Sequence, residues 1–314
     1  MTAMTSAAGV DFLTIGETMG ALRAAGPIRL GSAMTLSAAG AESTVAIGLV
    51  RLGHRAGWVG RVGDDGVGEL VLRTLRAEGV DVTYARVDPN GRPTGLMTRE
   101  HRVGSLIRVD YHRAGSAGSA LEPGDVLAAL EGGTRVLHLT GITPALSPSA
   151  AETVLVAARR ARELGVTVSF DVNYRSRLWS PERAREVLLP LAELADVLIA
   201  SSDELHLVAP TSATHAAREV VVTRGGDGAG VTTADGGTVS VPAHSVPVVD
   251  VVGAGDAFVA GYLSGLLDGL PVEQRLRRAV AVGAFSVATA GDWEGLPTRA
   301  DLALLDEPAG TTVR

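Results

Sequence analysis

The chain contains no cysteine, which removes disulfides and thiol catalysis together. It contains no lysine either: all 28 basic residues are arginine. That excludes a Schiff-base mechanism, a Walker A lysine and the strand lysine of protein kinases. Any phosphate handled here is held by backbone N–H groups, arginine or a metal. Aromatics are only 4% of residues, so Ala, Val, Leu and Gly must build the core. No apolar run approaches the length of a membrane span. Met1 to Gly9 lacks the basic and apolar regions of a secretory signal. A cytoplasmic location and no membrane partner are expected. The net charge of −7 argues against nucleic acid as a partner. What remains is 314 residues at 46% hydrophobic and 20% charged, enough for one large α/β domain or two small ones.

Hydrophobic patterning predicts strands at 10–15, 56–59, 135–139, 166–170, 196–199 and 220–223. Helices are predicted at 41–52, 67–77, 148–164, 181–189, 203–208, 257–268 and 272–290. Alternation of this kind implies a parallel sheet with helices on both faces. Two stretches, roughly 18–38 and 92–113, fall outside the rhythm. They read as β-ribbons forming one small sheet over a single domain, 10–305, with 1–9 and 306–314 as flexible termini. In open α/β sheets ligands bind beyond the carboxyl ends of strands. Polar or glycine-bearing clusters follow several strand ends: Gly16-Glu17, Gly141-Ile142, Asp171 to Arg175, Thr223 to Gly228 and Asp250 to Asp256.

The last cluster organises the others. Asp250-Val251-Val252-Gly253-Ala254-Gly255-Asp256 lies between a proline-broken β-like run, 239–249, and an apolar helical stretch. Small residues at a loop-to-helix junction let backbone N–H groups approach a ligand, and the helix dipole favours an anion there. An acid at the same point suits a base that takes a proton from a nucleophile attacking a phosphoryl group. An ordinary acidic residue in a first helical turn is the simpler alternative.

Residues 250–256 resemble the carboxyl-terminal signature of the ribokinase-like (PfkB) carbohydrate kinases, with Val251 where that signature has threonine. Ala39-Gly40-Ala41-Glu42-Ser43-Thr44-Val45-Ala46 is similar to the amino-terminal signature, with Thr44 in place of asparagine. Thr223-Arg224-Gly225-Gly226-Asp227-Gly228 resembles the family's nucleotide-binding loop. Within the family, four strings are similar to the branch acting on 2-keto-3-deoxygluconate: 111–117, 138–147, 171–175 with Leu178-Trp179, and 291–297. The resemblance spans about 10–305. It implies a three-layer α/β/α fold with a mostly parallel central sheet and a small β-sheet lid.

The resemblance also implies roles. Asp256 is the catalytic base, and Gly253, Ala254 and Gly255 offer N–H groups to the transferred phosphoryl. Gly40, Ala41, Thr44, Tyr111, Arg113, Ile142, Arg175 and Asp292 join Asp256 around the sugar. Arg113 and Arg175 are the residue types suited to a carboxylate, because a guanidinium offers planar paired donors. Thr223, Arg224, Gly225, Gly226, Asp227 and Gly228, with Gly253 and Gly255, face the nucleotide. Glu204 organises the water shell of a metal, alone, because Ser201 replaces an asparagine. Met97 takes the place of a tyrosine in the first lid strand. ATP and Mg2+ are implied, a monovalent cation such as K+ is allowed, and exposed lid edges suggest a homo-oligomer. A kinase for fructose, ribose or a nucleoside, and a catalytically silent sugar-binding paralogue, stand as alternatives.

Overall fold

The computed structural model describes residues 9–103, 106–208 and 217–306. The expectation for the termini falls outside them, apart from Gly9 and Asp306. The chain opens with β1 (Val10–Ile15), whose alternation sends Phe12 to one face of a sheet and Leu13 to the other. It continues through β2 (Met19–Ala24), β3 (Thr35–Ala39), α1 (Ala41–Arg51), β4 (Ala56–Val59), β5 (Arg61–Val62), α2 (Gly66–Ala77) and β6 (Arg86–Val87). Then come β7 (Leu96–His101), β8 (Ile107–His112), α3 (Pro123–Glu131), β9 (Thr134–Thr140), α4 (Pro148–Glu163), β10 (Thr167–Asp171), α5 (Pro181–Leu194) and β11 (Val197–Ser201). The last elements are β12 (Glu219–Thr223), β13 (Ala229–Thr233), β14 (Thr238–Val241), α6 (Ala254–Leu267) and α7 (Val272–Val287).

The main sheet has eight strands in the order β14-β13-β12-β11-β10-β9-β1-β4. Pairing is parallel from β12 to β4 and antiparallel at β12–β13 and β13–β14. Residues of α1, α2, α6 and α7 bury one face and those of α3, α4 and α5 the other, giving the three layers expected from the alternation. From β1 the order runs one way to β4 and the other way through β9, β10, β11 and β12. The carboxyl ends of β1 and β9 therefore flank the topological switch point, where a crevice opens.

The aromatic-poor core changes how helices meet. A Cβ at Gly261 would lie 2.7 Å from Ala279 Cα, so α6 and α7 approach backbone to backbone. Helix starts are set locally: Ser147 and Ser180 accept from the N–H of Ala150 and Arg183, each followed by proline at the first helical position. Helix α5 was expected to stop at Leu189 but runs through Pro190 to Leu194. Leu188, Leu191 and Ala192 are buried, and their packing outweighs one missing backbone hydrogen bond. The 203–208 stretch makes only a 3-10 turn, Leu205–Leu207.

A separate four-stranded sheet, β3-β2-β7-β8, stands over the carboxyl ends. Strand β2 pairs antiparallel to β3 and parallel to β7, and β7 antiparallel to β8. Among the described residues no helix is long and apolar enough to cross a membrane.

Candidate active site

A cleft of about 940 Å3 opens where the small sheet meets the carboxyl ends of β1, β9, β10, β11 and β12. Each strand end adds residues to its wall: Glu17 after β1, Ile142 after β9, Asp171 and Asn173 at β10, Ser201 at β11 and Thr223 at β12. The small sheet contributes Met97, Arg99, Tyr111 and Arg113, and the 250–256 loop contributes Val251, Val252, Gly253, Gly255 and Asp256.

Gly253 is the N-cap of α6, with φ 78 and ψ −8. A Cβ there would lie 2.2 Å from the Asp292 carbonyl oxygen, so glycine lets the 250–256 loop touch the 291–294 loop. The helix starts at Ala254, three residues earlier than the apolar pattern suggested, and Ala257 N donates to Gly253 O at 2.8 Å. Ala254 N turns back toward Val251 O at 3.4 Å, and Ala254 is not on the cleft wall, whereas Gly253 and Gly255 are. Val251 supplies that carbonyl, and the residue is 59% exposed. The turn thus uses the backbone of residue 251, which accommodates valine as readily as threonine.

Asp256 sits in the first turn of α6, half-buried, with Oδ1 accepting from Asn173 Nδ2 at 3.4 Å. Its pKa is pushed up to about 7 by burial; Arg175 and the Asn173 hydrogen bond oppose the rise, while Glu42 and Asp292 add to it. Asp171 is also raised, well above the ordinary carboxylate range, first by burial and then by the carboxylates of Glu204 and Asp256. Asn173 Nδ2 reaches Asp171 Oδ2 at 3.1 Å and so bridges both acids. Its φ of 37 makes it the single non-glycine residue with positive φ among the described residues. A base with a pKa near neutrality beside an anion-favouring helix start is equipped for proton transfer coupled to phosphoryl transfer.

The cations differ in availability. Arg113 Nε and Nη2 are committed to Glu17 Oε2 at 2.6 and 2.5 Å, and Ser116 donates to the other Glu17 oxygen. Arg113 also lies over the Tyr111 ring, 5.6 Å from its centre. Arg175 is exposed on the cleft and close enough to influence Asp256 and Asp171. Glu42 is buried at the start of α1, accepting from Thr140 and Thr143 at 2.6 Å each, and burial raises its pKa against those bonds. Asp292 is raised to about 6 by burial, with Arg99 opposing.

Of the residues expected around the sugar, Gly40, Ala41, Tyr111, Arg113, Ile142, Arg175, Asp256 and Asp292 all line the cleft. Thr44 does not: it is fully buried and its Oγ1 lacks a partner among the described residues. Thr223 lines the cleft, while Arg224 to Gly228 form the turn after β12 outside its wall. Glu204 lines it with both oxygens engaged, Oε1 by Tyr174 N at 2.8 Å and Oε2 by Ser201 N at 3.0 Å. Glu17, Glu42, Asn173 and Arg99 carry much of the electrostatics and were not assigned roles from sequence. Glu17 and Asn173 did lie in strand-end clusters.

Residues 11–299 match the family described as pfkB family carbohydrate kinase. The chain belongs to the pfkB family of carbohydrate kinases. It is 37% identical to a 2-dehydro-3-deoxygalactonokinase of Haloferax volcanii, covering 90% of this chain and 92% of that protein. It is 36% identical to a 2-dehydro-3-deoxygluconokinase of Bacillus subtilis, covering 94% of each. The crystal structure of a 2-dehydro-3-deoxygluconokinase from Thermotoga maritima superposes with a TM-score of 0.84 at 27% identity, covering 95% of this chain and 98% of that one.

A pfkB kinase is a phosphotransferase with an alcohol acceptor, and its fold is the ribokinase-like α/β one expected from sequence. For this pfkB chain, no group of three His, Asp or Glu side chains among the described residues could cage a metal ion. The carboxylates of Asp171 and Glu204 on the cleft wall are hard oxygen donors, the kind that suits Mg2+ and its waters.

Proposed function

We propose that the chain transfers the γ-phosphoryl group of ATP to the 6-hydroxyl of 2-keto-3-deoxygluconate. The observation that carries this reading is the meeting of Asp256, at the start of α6, with Arg175 and Arg113 in one cleft. Arg175 takes the sugar-acid carboxylate, and the edge of Arg113 turned from Glu17 assists. Asp256 accepts the hydroxyl proton as the sugar oxygen bonds to phosphorus and the bond to ADP breaks. The N–H groups at the start of α6 hold the charge that develops; one such donor is worth about 3–4 kcal/mol by analogy with oxyanion holes. Mg2+, when bound, would offset the charge of the phosphates. Glu204 and Asp171, both on the cleft wall, would hold its waters. A monovalent cation is an optional activator, scored by omitting K+ from the assay. The small sheet acts as a lid that excludes water. Exposed Leu36 on the edge strand β3 supports pairing with a second copy.

Coupled ADP release tests the substrate, with 2-keto-3-deoxygluconate, its galactonate epimer, fructose and ribose as acceptors. Sugar acids are expected to turn over and neutral sugars to lag by orders of magnitude. Preference for a neutral sugar would sink the reading. Arg175→Leu is expected to raise KM for the sugar acid roughly 30-fold, the loss of about 2 kcal/mol of charge-assisted hydrogen bonding. Its KM for ATP should change little.

Asp256 must be ionised to act. Because its pKa is pushed up to about 7, kcat/KM should fall about tenfold per pH unit below that point and level off above it. Glu42 pushes that pKa up, so Glu42→Gln should move the inflection to lower pH. A profile flat from pH 5 to 8 would remove Asp256 as the base.

A further inference from the structure

Arg99 is the most completely enclosed cation of the cleft. It lies on β7 in the small sheet, its side chain 2% exposed, yet it borders the cleft. Its Nη2 donates to Asp250 Oδ2. Among the described residues its Nε and Nη1 have no hydrogen-bond partner, although both are buried. Nη1 lies 3.7 Å from Asp292 Oδ1, beyond hydrogen-bond length. A buried guanidinium with two unsatisfied nitrogens is costly, and it persists where another state of the site satisfies it.

The partner carboxylates explain which state. Asp250 is the clasp of the phosphoryl-binding loop: Oδ1 accepts from Val252 N at 3.0 Å and Oδ2 from Gly291 N at 3.1 Å. It therefore joins the 250–256 loop to the 291–294 loop, the two that meet at Gly253. Next to Arg99 across the sheet register, Arg23 on β2 holds Glu294, also in the second loop, at 2.5 Å. Two adjacent strands of the small sheet thus grip both loops through arginine. Asp292, expected at the sugar, stands off from Arg99 at 3.7 Å.

We propose that Arg99 is a positioning residue that couples the small sheet to the phosphoryl-binding loop, its Nη1 closing onto Asp292 when the sugar acid fills the cleft. Rested on the kinase reading above, this makes sugar occupancy and completion of the loop around Gly253 one event. Binding of the sugar draws β7 and Asp292 together, and the same guanidinium, through Asp250, fixes the loop whose N–H groups receive the phosphoryl. A lysine would pair with Asp250 as a point charge but could not span both carboxylates in a fixed plane.

Arg99→Lys is the test, on the full chain. Its melting temperature should stay close to wild type, because the Asp250 pair survives. Its kcat with the sugar acid should fall about 100-fold while the sugar KM changes less than about threefold. Calorimetry at saturating sugar acid should show the affinity for a non-hydrolysable ATP analogue reduced about tenfold and that for ADP unchanged, since only the γ-phosphoryl reaches the loop. A purely structural role would move both nucleotides alike. A kcat within threefold of wild type, or an unchanged ratio of analogue to ADP affinity, overturns the proposal. If the wild-type chain phosphorylates no sugar acid, the substrate reading fails instead, and the nucleotide ratio alone decides on Arg99. Should Arg99→Lys not fold, Arg99→Gln is measured by the same two readouts.

Discussion

Asp256→Asn is expected to fold, bind ATP and sugar acid near wild-type affinity, and lose turnover by roughly 10³–10⁴-fold, the upper range of general-base catalysis. The amide has the carboxylate's shape and can still face Asn173, so neither α6 nor the cleft need move. What it cannot do is take a proton. The stability consequence has the opposite sign. The folded pKa of Asp256 is raised to about 7, so the fold favours the protonated acid. Its stabilising contribution is full below the unfolded pKa and is lost as pH rises through about 7. Asparagine, neutral throughout, should therefore melt at or above the wild-type temperature at pH 8. Single-turnover kinetics with parallel melts at pH 5 and pH 8 separate the two effects. Retained turnover within tenfold of wild type would leave the base unassigned.

The features legible in the sequence were those that depend on chain neighbours. Strand cores such as Val10–Ile15 and Ala56–Val59 are short apolar runs bounded by turn residues, and the loops after them carry their glycines and acids in order. The small sheet showed as two stretches that broke the alternation. Helix α3 was passed over although Glu122 and Asp125 form a capping box around a proline start; the Pro123-Gly124 pair reads more simply as a turn. Strand β13 was missed because its small residues Ala229 and Gly230 continue a glycine-rich loop, and only antiparallel pairing with β12 and β14 makes it a strand.

Within the cleft the losses have one physical cause. Arg99 is one polar residue in an alternating strand, and nothing nearby in sequence marks it as the partner of Asp250, 151 residues away. Glu17 and Arg113 show the same limit. The arginine was legible as a cation for a substrate carboxylate, but Glu17, 96 residues earlier, already holds one edge of it. Thr44 departs from the family pattern in a residue whose hydroxyl is enclosed in protein, so its effect on the sugar is indirect. Chemistry of single residues was readable; which charges are already spent on one another required the fold.

Gly253→Ala should be nearly as damaging as loss of the base, by a different route. At φ 78 an alanine pays about 1–2 kcal/mol of backbone strain. Its Cβ would also meet Asp292 O at 2.2 Å and Asp292 C at 2.9 Å, both backbone atoms that cannot rotate away. Relief requires separating the two loops, but Asp250 clamps both through Val252 N and Gly291 N. The strain then falls on the first turn of α6, the proposed seat of the phosphoryl. A loss of about 2–4 kcal/mol in stability and of at least roughly 100-fold in kcat is expected. Gly255→Ala is the internal control, because its Cβ meets nothing within 4 Å and the residue is already helical. That variant should gain up to about 1 kcal/mol of helix propensity while its methyl intrudes on the cleft wall. It should melt higher and bind ATP more weakly. Melting curves and kcat for the pair decide the matter: equal melting of Gly253→Ala and wild type would show that the loops yield, and that the geometry around Gly253 does not hold the site.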